Sequence, residues 1–101
     1  AMLKKDMLEL FLLKIISNED KYGYEIIRLL HSTFPDTQES AIYAQLRGLC
    51  QQGCTESYAG QTSGGPTRKY YRLTPLGRKK LQALLDEWQQ LCDFLAGLEP
   101  K

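Results

Sequence analysis

Catalytic equipment is what this chain lacks first. Its 101 residues hold one histidine, His31, with no nucleophile elbow, no metal-ligand cluster and no convincing pair of carboxylates. Ser63 and Tyr43 have no base within sequence reach, so no enzyme and no cofactor is expected. The three cysteines, Cys50, Cys54 and Cys92, are odd in number and lack disulfide spacing. A metal at Cys50-xxx-Cys54 would need further ligands that one histidine cannot supply. A redox pair at those two positions is an alternative to the ordinary reading of free thiols as small apolar residues. No apolar run approaches the roughly 20 residues that span a bilayer. No signal-peptide cleavage pattern stands at the N-terminus, which makes the cytoplasm the expected location.

Charge is nearly absent in sum, +1, but not in distribution. Residues 1–39 carry −2 and residues 81–101 carry −3. Residues 40–80 carry +6, with Arg47, Arg68, Lys69, Arg72, Arg78, Lys79 and Lys80 against Glu56 alone. A basic middle between acidic flanks suits a polyanionic partner. The ordinary reading is a solvated basic face. A chain this short buries only about two thirds of its unfolded surface, so burial against a second copy would add stability.

The order of elements gives the basic segment a context. Residues 3–17, "LKKDMLELFLLKIIS", place apolar residues almost all round a helix, which is then buried on two sides. One side serves its own core and the other a partner subunit. A second helix is expected at about 22–33, with Tyr22, Ile26, Ile27, Leu29 and Leu30 as its stripe, ended by Pro35. "DTQESAIYAQLRGLCQQG" restarts a helix behind the cap candidates Asp36, Thr37 and Ser40, with Gly53 as its C-terminal cap. On this third helix Ile42, Leu46, Leu49 and Cys50 share one face. Ser40, Tyr43, Ala44, Arg47 and Gln51 share the other, a set able to meet base edges and phosphates. Gly48 costs a helix about 1 kcal/mol relative to alanine, without an evident reason.

"CTESYAG" and "TRKYYRLT" have strand character and flank "GQTSGGP", which together read as a hairpin with a long tip. No phosphate-cradling glycine pattern opens a helix here, so the glycines serve the turn. Tyr71 and Leu73 are expected to anchor the returning strand to the core. Thr74 and Pro75 then launch a final helix at about 75–97. Leu81, Leu84, Trp88, Leu91, Leu95 and Leu98 follow at alternating spacings of three and four, flanked by Leu85 and Cys92, a heptad seam that suits dimerisation.

Helix, helix, helix, hairpin and long helix make a mainly α chain with a small β-hairpin. This is a winged helix-turn-helix plan, residues 1–74, with a long C-terminal dimerisation helix, residues 75–101, in one compact domain. The chain resembles the PadR family of bacterial transcriptional regulators in its short form. The resemblance rests on "YGYEII" at 22–27, "IYAQLRGL" at 42–49 followed by Gly53, and "GGPTRKYYRLTPLGRKKL" at 64–81.

The resemblance implies that the third helix enters a major groove while the wing meets the adjacent backbone or minor groove of a near-palindromic double-stranded DNA operator. Tyr43 matches the family's recognition-helix tyrosine, and Arg68 and Lys69 its basic wing pair. The DNA-facing set is then Gln38, Ser40, Ala41, Tyr43, Ala44 and Arg47 with Thr62, Ser63, Arg68 and Lys69. Family members dimerise through their first and last helices, which assigns Leu8, Phe11, Leu12, Leu81, Leu84, Trp88, Leu91 and Leu95 to a homodimer interface. Related repressors take flat aromatic or phenolic effectors there, and Trp88 matches a ligand-stacking tryptophan, although plain interface packing accounts for it too. The expected function is a repressor relieved by such a ligand. The alternative is a ligand-sensing or protein-interaction module with little specific DNA binding. Four positions depart from the family: Cys54 and Thr55 replace an apolar pair, predicting a weaker seat for the first wing strand. Gly48 stands where arginine is common and Cys50 where an acid is.

Overall fold

The computed structural model describes residues 4–61 and 64–100. Its elements run α1 (Lys5–Asn18), β1 (Lys21–Tyr22), α2 (Gly23–His31), α3 (Glu39–Gln51), β2 (Thr55–Gln61), β3 (Thr67–Leu73) and α4 (Pro75–Gly97). The winged helix-turn-helix plan is therefore present, with four helices and an antiparallel sheet in the order β1-β3-β2. Thr62 and Ser63, placed in the DNA-facing set from sequence, lie outside the described residues.

The spine is α1, which packs against α3, α4 and β3. Leu8, Leu10, Leu12, Leu13 and Ile16 are all buried, so its near all-round apolarity is consumed on more than one side within the protomer. Phe11 is half buried and stacks on Phe34, with centroids 5.6 Å apart. α2 contributes Ile26, Ile27 and Leu30 to the core. Leu29, expected in that stripe, is instead 48% exposed. Tyr22, also expected there, belongs to β1, and its backbone N–H donates to Glu25 Oε1 at 3.2 Å across the first turn of α2.

α3 begins differently from expectation. Its N-cap residue is Gln38, without a side-chain cap, and Ser40 lies inside the first turn. Thr37 cannot cap because it is turned inward: its carbonyl accepts from His31 Nε2 at 2.6 Å and its hydroxyl is buried without a partner. The far end follows expectation. Gly53 takes φ +78°, its N–H donates to Cys50 O at 3.0 Å, and the Cys54 N–H donates to Leu49 O at 2.9 Å. That pair of bonds is a Schellman motif, which only a residue tolerant of the left-handed region closes without strain. Gly48 has open space where its Cβ would be, so packing does not demand glycine there.

The sheet holds one strand more than the hairpin read from sequence. β1 pairs Tyr22 with Tyr70, and β2 pairs Tyr58 with the same Tyr70, aligning three tyrosines across three strands. Tyr70 meets Tyr22 edge-on and stacks on Tyr58, each at 5.6 Å. Gly60 clears the space, since a Cβ there would lie 2.6 Å from Tyr70 Cδ1. Tyr71 and Leu73 point to the opposite face and are buried, as their alternation predicted. Cys54 and Thr55 seat the first wing strand firmly: both are buried, and the Thr55 hydroxyl lies 3.1 Å from Cys50 Sγ. A hydrogen bond between two small side chains does there what apolar bulk was expected to do.

α4 starts as predicted, with Thr74 Oγ1 accepting from the Gly77 N–H at 3.0 Å and Pro75 at the first helical position. Its burial is graded along the seam. Leu81 is buried and Leu84 and Leu85 are half buried, whereas Trp88, Leu91, Leu95 and Leu98 are exposed in the protomer. The opposite face is polar, tied by Gln82 to Asp86 and Gln89 to Asp93, both at 2.9 Å. Among the described residues, no helix is long and apolar enough to cross a membrane.

Candidate nucleic-acid interface

The outer face of α3 and the adjoining edge of β3 enclose two shallow clefts. The first, about 230 Å³, lies between the start of α2, Tyr43 of α3 and Thr67, Arg68 and Lys69 of β3. The second, also about 230 Å³, lies between Arg47 and Gln51 of α3 and Ser57 and Lys69 of the sheet, with Cys50 and Tyr71 at its floor. Three cations thus surround one concave strip, Lys69 lining both halves. Among the described residues, none of Arg47, Arg68 and Lys69 has a carboxylate within ion-pair distance. Arg72, the fourth cation of the basic strand and helix face, is held by Glu56 at 3.1 Å and lies over the Tyr58 ring.

Strand alternation separates the two basic wing residues. Arg68 lies on the tyrosine face, its guanidinium 5.0 Å from the centre of the Tyr22 ring. Lys69 lies on the α3 side, its ammonium 5.6 Å from the Tyr71 ring. Burial raises the Tyr71 phenol above its ordinary pKa, with smaller contributions from Cys50 and Tyr43 and an opposing one from Arg47. The strip therefore has a neutral aromatic floor beneath positive walls.

Tyr43 ties the strip to α2. It is 38% exposed, and a Cβ on Gly23 would lie 3.2 Å from both its Cε1 and its hydroxyl. The glycine of "YGYEII" is thus the residue that lets Tyr43 lie against the start of α2. Gln38, Ser40, Ala41, Ala44 and Arg47 are all exposed on the α3 surface. Of these, Arg47 alone lines either cleft, and it lines only the second. Sequence reasoning passed over Gly23 and Tyr24 as site residues, although both line the first cleft. The signal available was the Tyr-Gly-Tyr run itself, since glycine between two aromatics at a helix start marks close approach.

The residues assigned to a partner subunit divide into two groups. Leu8, Leu12 and Leu81 are 4%, 0% and 7% exposed and are enclosed by their own protomer. A side chain already enclosed has no surface to offer a second chain, so these three are core residues. Phe11 and Leu84 are half buried, and Trp88, Leu91 and Leu95 are open, joined by Phe94, which is 66% exposed beside the seam. Phe94 escaped the sequence reading because it falls off the three-four repeat. Trp88 lines neither of the clefts at α3.

A helix pair whose second member stands exposed beside a basic hairpin defines a winged helix-turn-helix protein. The Transcriptional regulator PadR-like family matches residues 12–83, and the chain belongs to that family of DNA-binding regulators, which are not enzymes. An uncharacterised protein of Lysinibacillus sphaericus is 34% identical over 99 residues, covering 91% of each chain. The PadR-like transcriptional regulator of Bacillus cereus is 33% identical, with a TM-score of 0.84 over 93% of this chain and 92% of its own. A PadR family transcription regulator of Clostridium difficile is 28% identical, with a TM-score of 0.80 over 89% of this chain and 95% of its own.

Proposed function

We propose that this PadR-family regulator is a homodimeric, sequence-specific DNA-binding repressor, relieved by a flat aromatic or phenolic molecule at the dimer interface. The observation that carries the DNA reading is the strip between α3 and β3, where Arg47, Arg68 and Lys69 converge without acidic partners among the described residues. Cations held apart from carboxylates on a concave surface are available to phosphates, and phosphate contacts set register. Tyr43 and the small residues Ser40, Ala41 and Ala44 of α3 would approach base edges in the major groove, with Gln38 at the helix entry. Thr62 and Ser63 at the wing tip complete the proposed contact set.

The dimer reading rests on the exposed half of α4. Trp88, Leu91, Phe94, Leu95 and Leu98 form an apolar surface opposite a polar one, which is costly to leave in water. Phe11 and Ile15 of α1, Leu29 of α2 and Phe34 just after α2 border an apolar cleft of about 240 Å³ that offers a partner helix a concave seat. A two-fold dimer would set two α3 helices in successive major grooves about 34 Å apart. Trp88 at that interface is the stacking group proposed for the effector.

A salt titration of binding to duplexes from the host's promoter regions tests the DNA reading. Affinity should fall steeply as salt rises, because each neutralised phosphate releases counterions. Undetectable or salt-independent binding would sink it. Quenching of the single tryptophan by planar aromatic compounds, coupled to loss of DNA affinity, tests the effector.

A further inference from the structure

The segment "LTPLGRKK" is not used by the strip or by the exposed part of α4, yet it ties the exit of α3 and the side of α1 to the start of α4. Thr74 is buried, and its hydroxyl donates to Gly53 O at 2.6 Å while accepting the Gly77 N–H at 3.0 Å. Its own N–H donates to Cys54 O at 3.1 Å. One threonine thus takes up the carbonyls of Gly53 and Cys54 at the exit of α3 and also opens α4. Gly77 brings the first turn of α4 directly onto that exit, since a Cβ there would lie 2.0 Å from Cys54 O. One turn further on, Lys80 Nζ donates to Gln52 Oε1 at 2.6 Å and pairs with Glu9 Oε1 at 2.7 Å. Gln52 is the C-cap residue of α3 and Glu9 lies on α1. Lys80 and Glu9 are both largely shielded, with side chains 31% and 14% exposed, so the pair is less screened than a surface one.

We propose that the joint built by Gly53, Thr74, Gly77 and Lys80 is a positioning element that locks α3 to α4, so that α4 dictates the spacing of the DNA half-sites. The backbone ties of Thr74 and Gly77 hold the exit of α3 at one point, and Lys80, a turn further on, is the tie that stops α3 pivoting about that point. A displacement of α4 is then passed on to α3 as a rigid rotation. One added base pair moves a half-site by about 3.4 Å and about a tenth of a turn, which a locked pair of recognition helices cannot follow. The proposal rests on the dimeric DNA-binding reading above.

The test starts from duplexes enriched by the wild-type protein from a random pool, then varies the base pairs between the two half-sites. Wild type should lose about tenfold in affinity for one base pair added or removed, the scale of one mismatched position. Lys80→Met keeps the apolar stem but deletes both polar ties, and its affinities across the spacer series should converge. Lys80→Arg, which restores a cation and donor, should recover the wild-type profile. A role in stability alone would weaken all spacers equally and leave their ratios unchanged. Unchanged ratios in Lys80→Met, with wild type still selective, overturn the joint and leave the DNA reading standing. A wild type that enriches no duplex overturns both.

Discussion

At the scale of single residues, Arg68 and Lys69 stand next to each other in sequence but on opposite faces of β3. Both line the first cleft, so both are in reach of one phosphate backbone. Replacing the pair by alanine should weaken binding to every duplex and reduce the slope of log affinity against log salt by about two, one per cation lost. Tyr43→Ala should act differently, costing the preferred operator about 1–3 kcal/mol and random DNA far less. Equal losses on both in anisotropy titrations would remove Tyr43 from base reading. A third residue-scale outcome concerns the root of the wing. Tyr58 donates to Asp20 Oδ2 at 2.6 Å, and that hydrogen bond is the main reason its phenol titrates above the ordinary value. Because the acceptor favours the protonated phenol, Asp20→Asn should lower the Tyr58 pKa toward 10.0, as read by ultraviolet titration. The sign for stability follows: the contribution is fully present below the unfolded value and fades as pH rises past it.

At the scale of elements, long periodic segments were legible and short or inward-turned ones were not. α4 was readable at both ends because Thr74-Pro75 is a local start signal and because the three-four repeat runs for five turns. α3 was readable at its end through Gly53 but not at its start. Thr37 has the chemistry of a cap, and only the tertiary contact from His31 shows that it faces inward. β1 was missed because two residues, Lys21 and Tyr22, carry no alternation, and the pairing with Tyr70 is made 48 positions away. The strip itself was legible as a list of residues rather than as a shape. Arg47, Arg68 and Lys69 are evident in sequence, whereas the seat of Tyr43 on Gly23 depends on how α2 crosses α3. The junction of α3 and α4 gives this scale its own prediction. In Gly77→Ala the new methyl meets the Cys54 carbonyl at 2.0 Å, and backbone on both sides cannot yield as a side chain tip would. Stability should fall by about 3 kcal/mol, the upper range for overpacking, measured by chemical denaturation. A loss near zero would mean that α4 slides easily on the end of α3.

At the scale of the whole molecule, the balance of burial along α4 decides whether the protomer is complete. The molecule is 57 Å long and 22 Å across its thinnest direction, and the exposed apolar seam lies on its longest helix. Leu81 shows how far the protomer can cover that helix alone, and Leu91, 58% exposed, lies beyond its reach. The choice of test residue follows from this gradient. Leu84 is half enclosed by its own chain, so a charge there would confuse folding with association. Leu91→Glu instead leaves the protomer core intact and, in a two-fold dimer, places two carboxylates at one seam. An unpaired carboxylate removed from water costs several kcal/mol, and each 1.4 kcal/mol is a tenfold change in dissociation constant. Sedimentation should therefore show Leu91→Glu as a folded monomer at concentrations where wild type is dimeric. Ala96→Glu, exposed and turned toward the polar side bearing Gln89 and Asp93, should leave the dimer unchanged. DNA affinity should follow the same division, with Leu91→Glu losing the operator while keeping weak, salt-sensitive binding through the strip of each separate protomer. An intact Leu91→Glu dimer would place the interface elsewhere on the molecule and leave the exposed end of α4 without a partner.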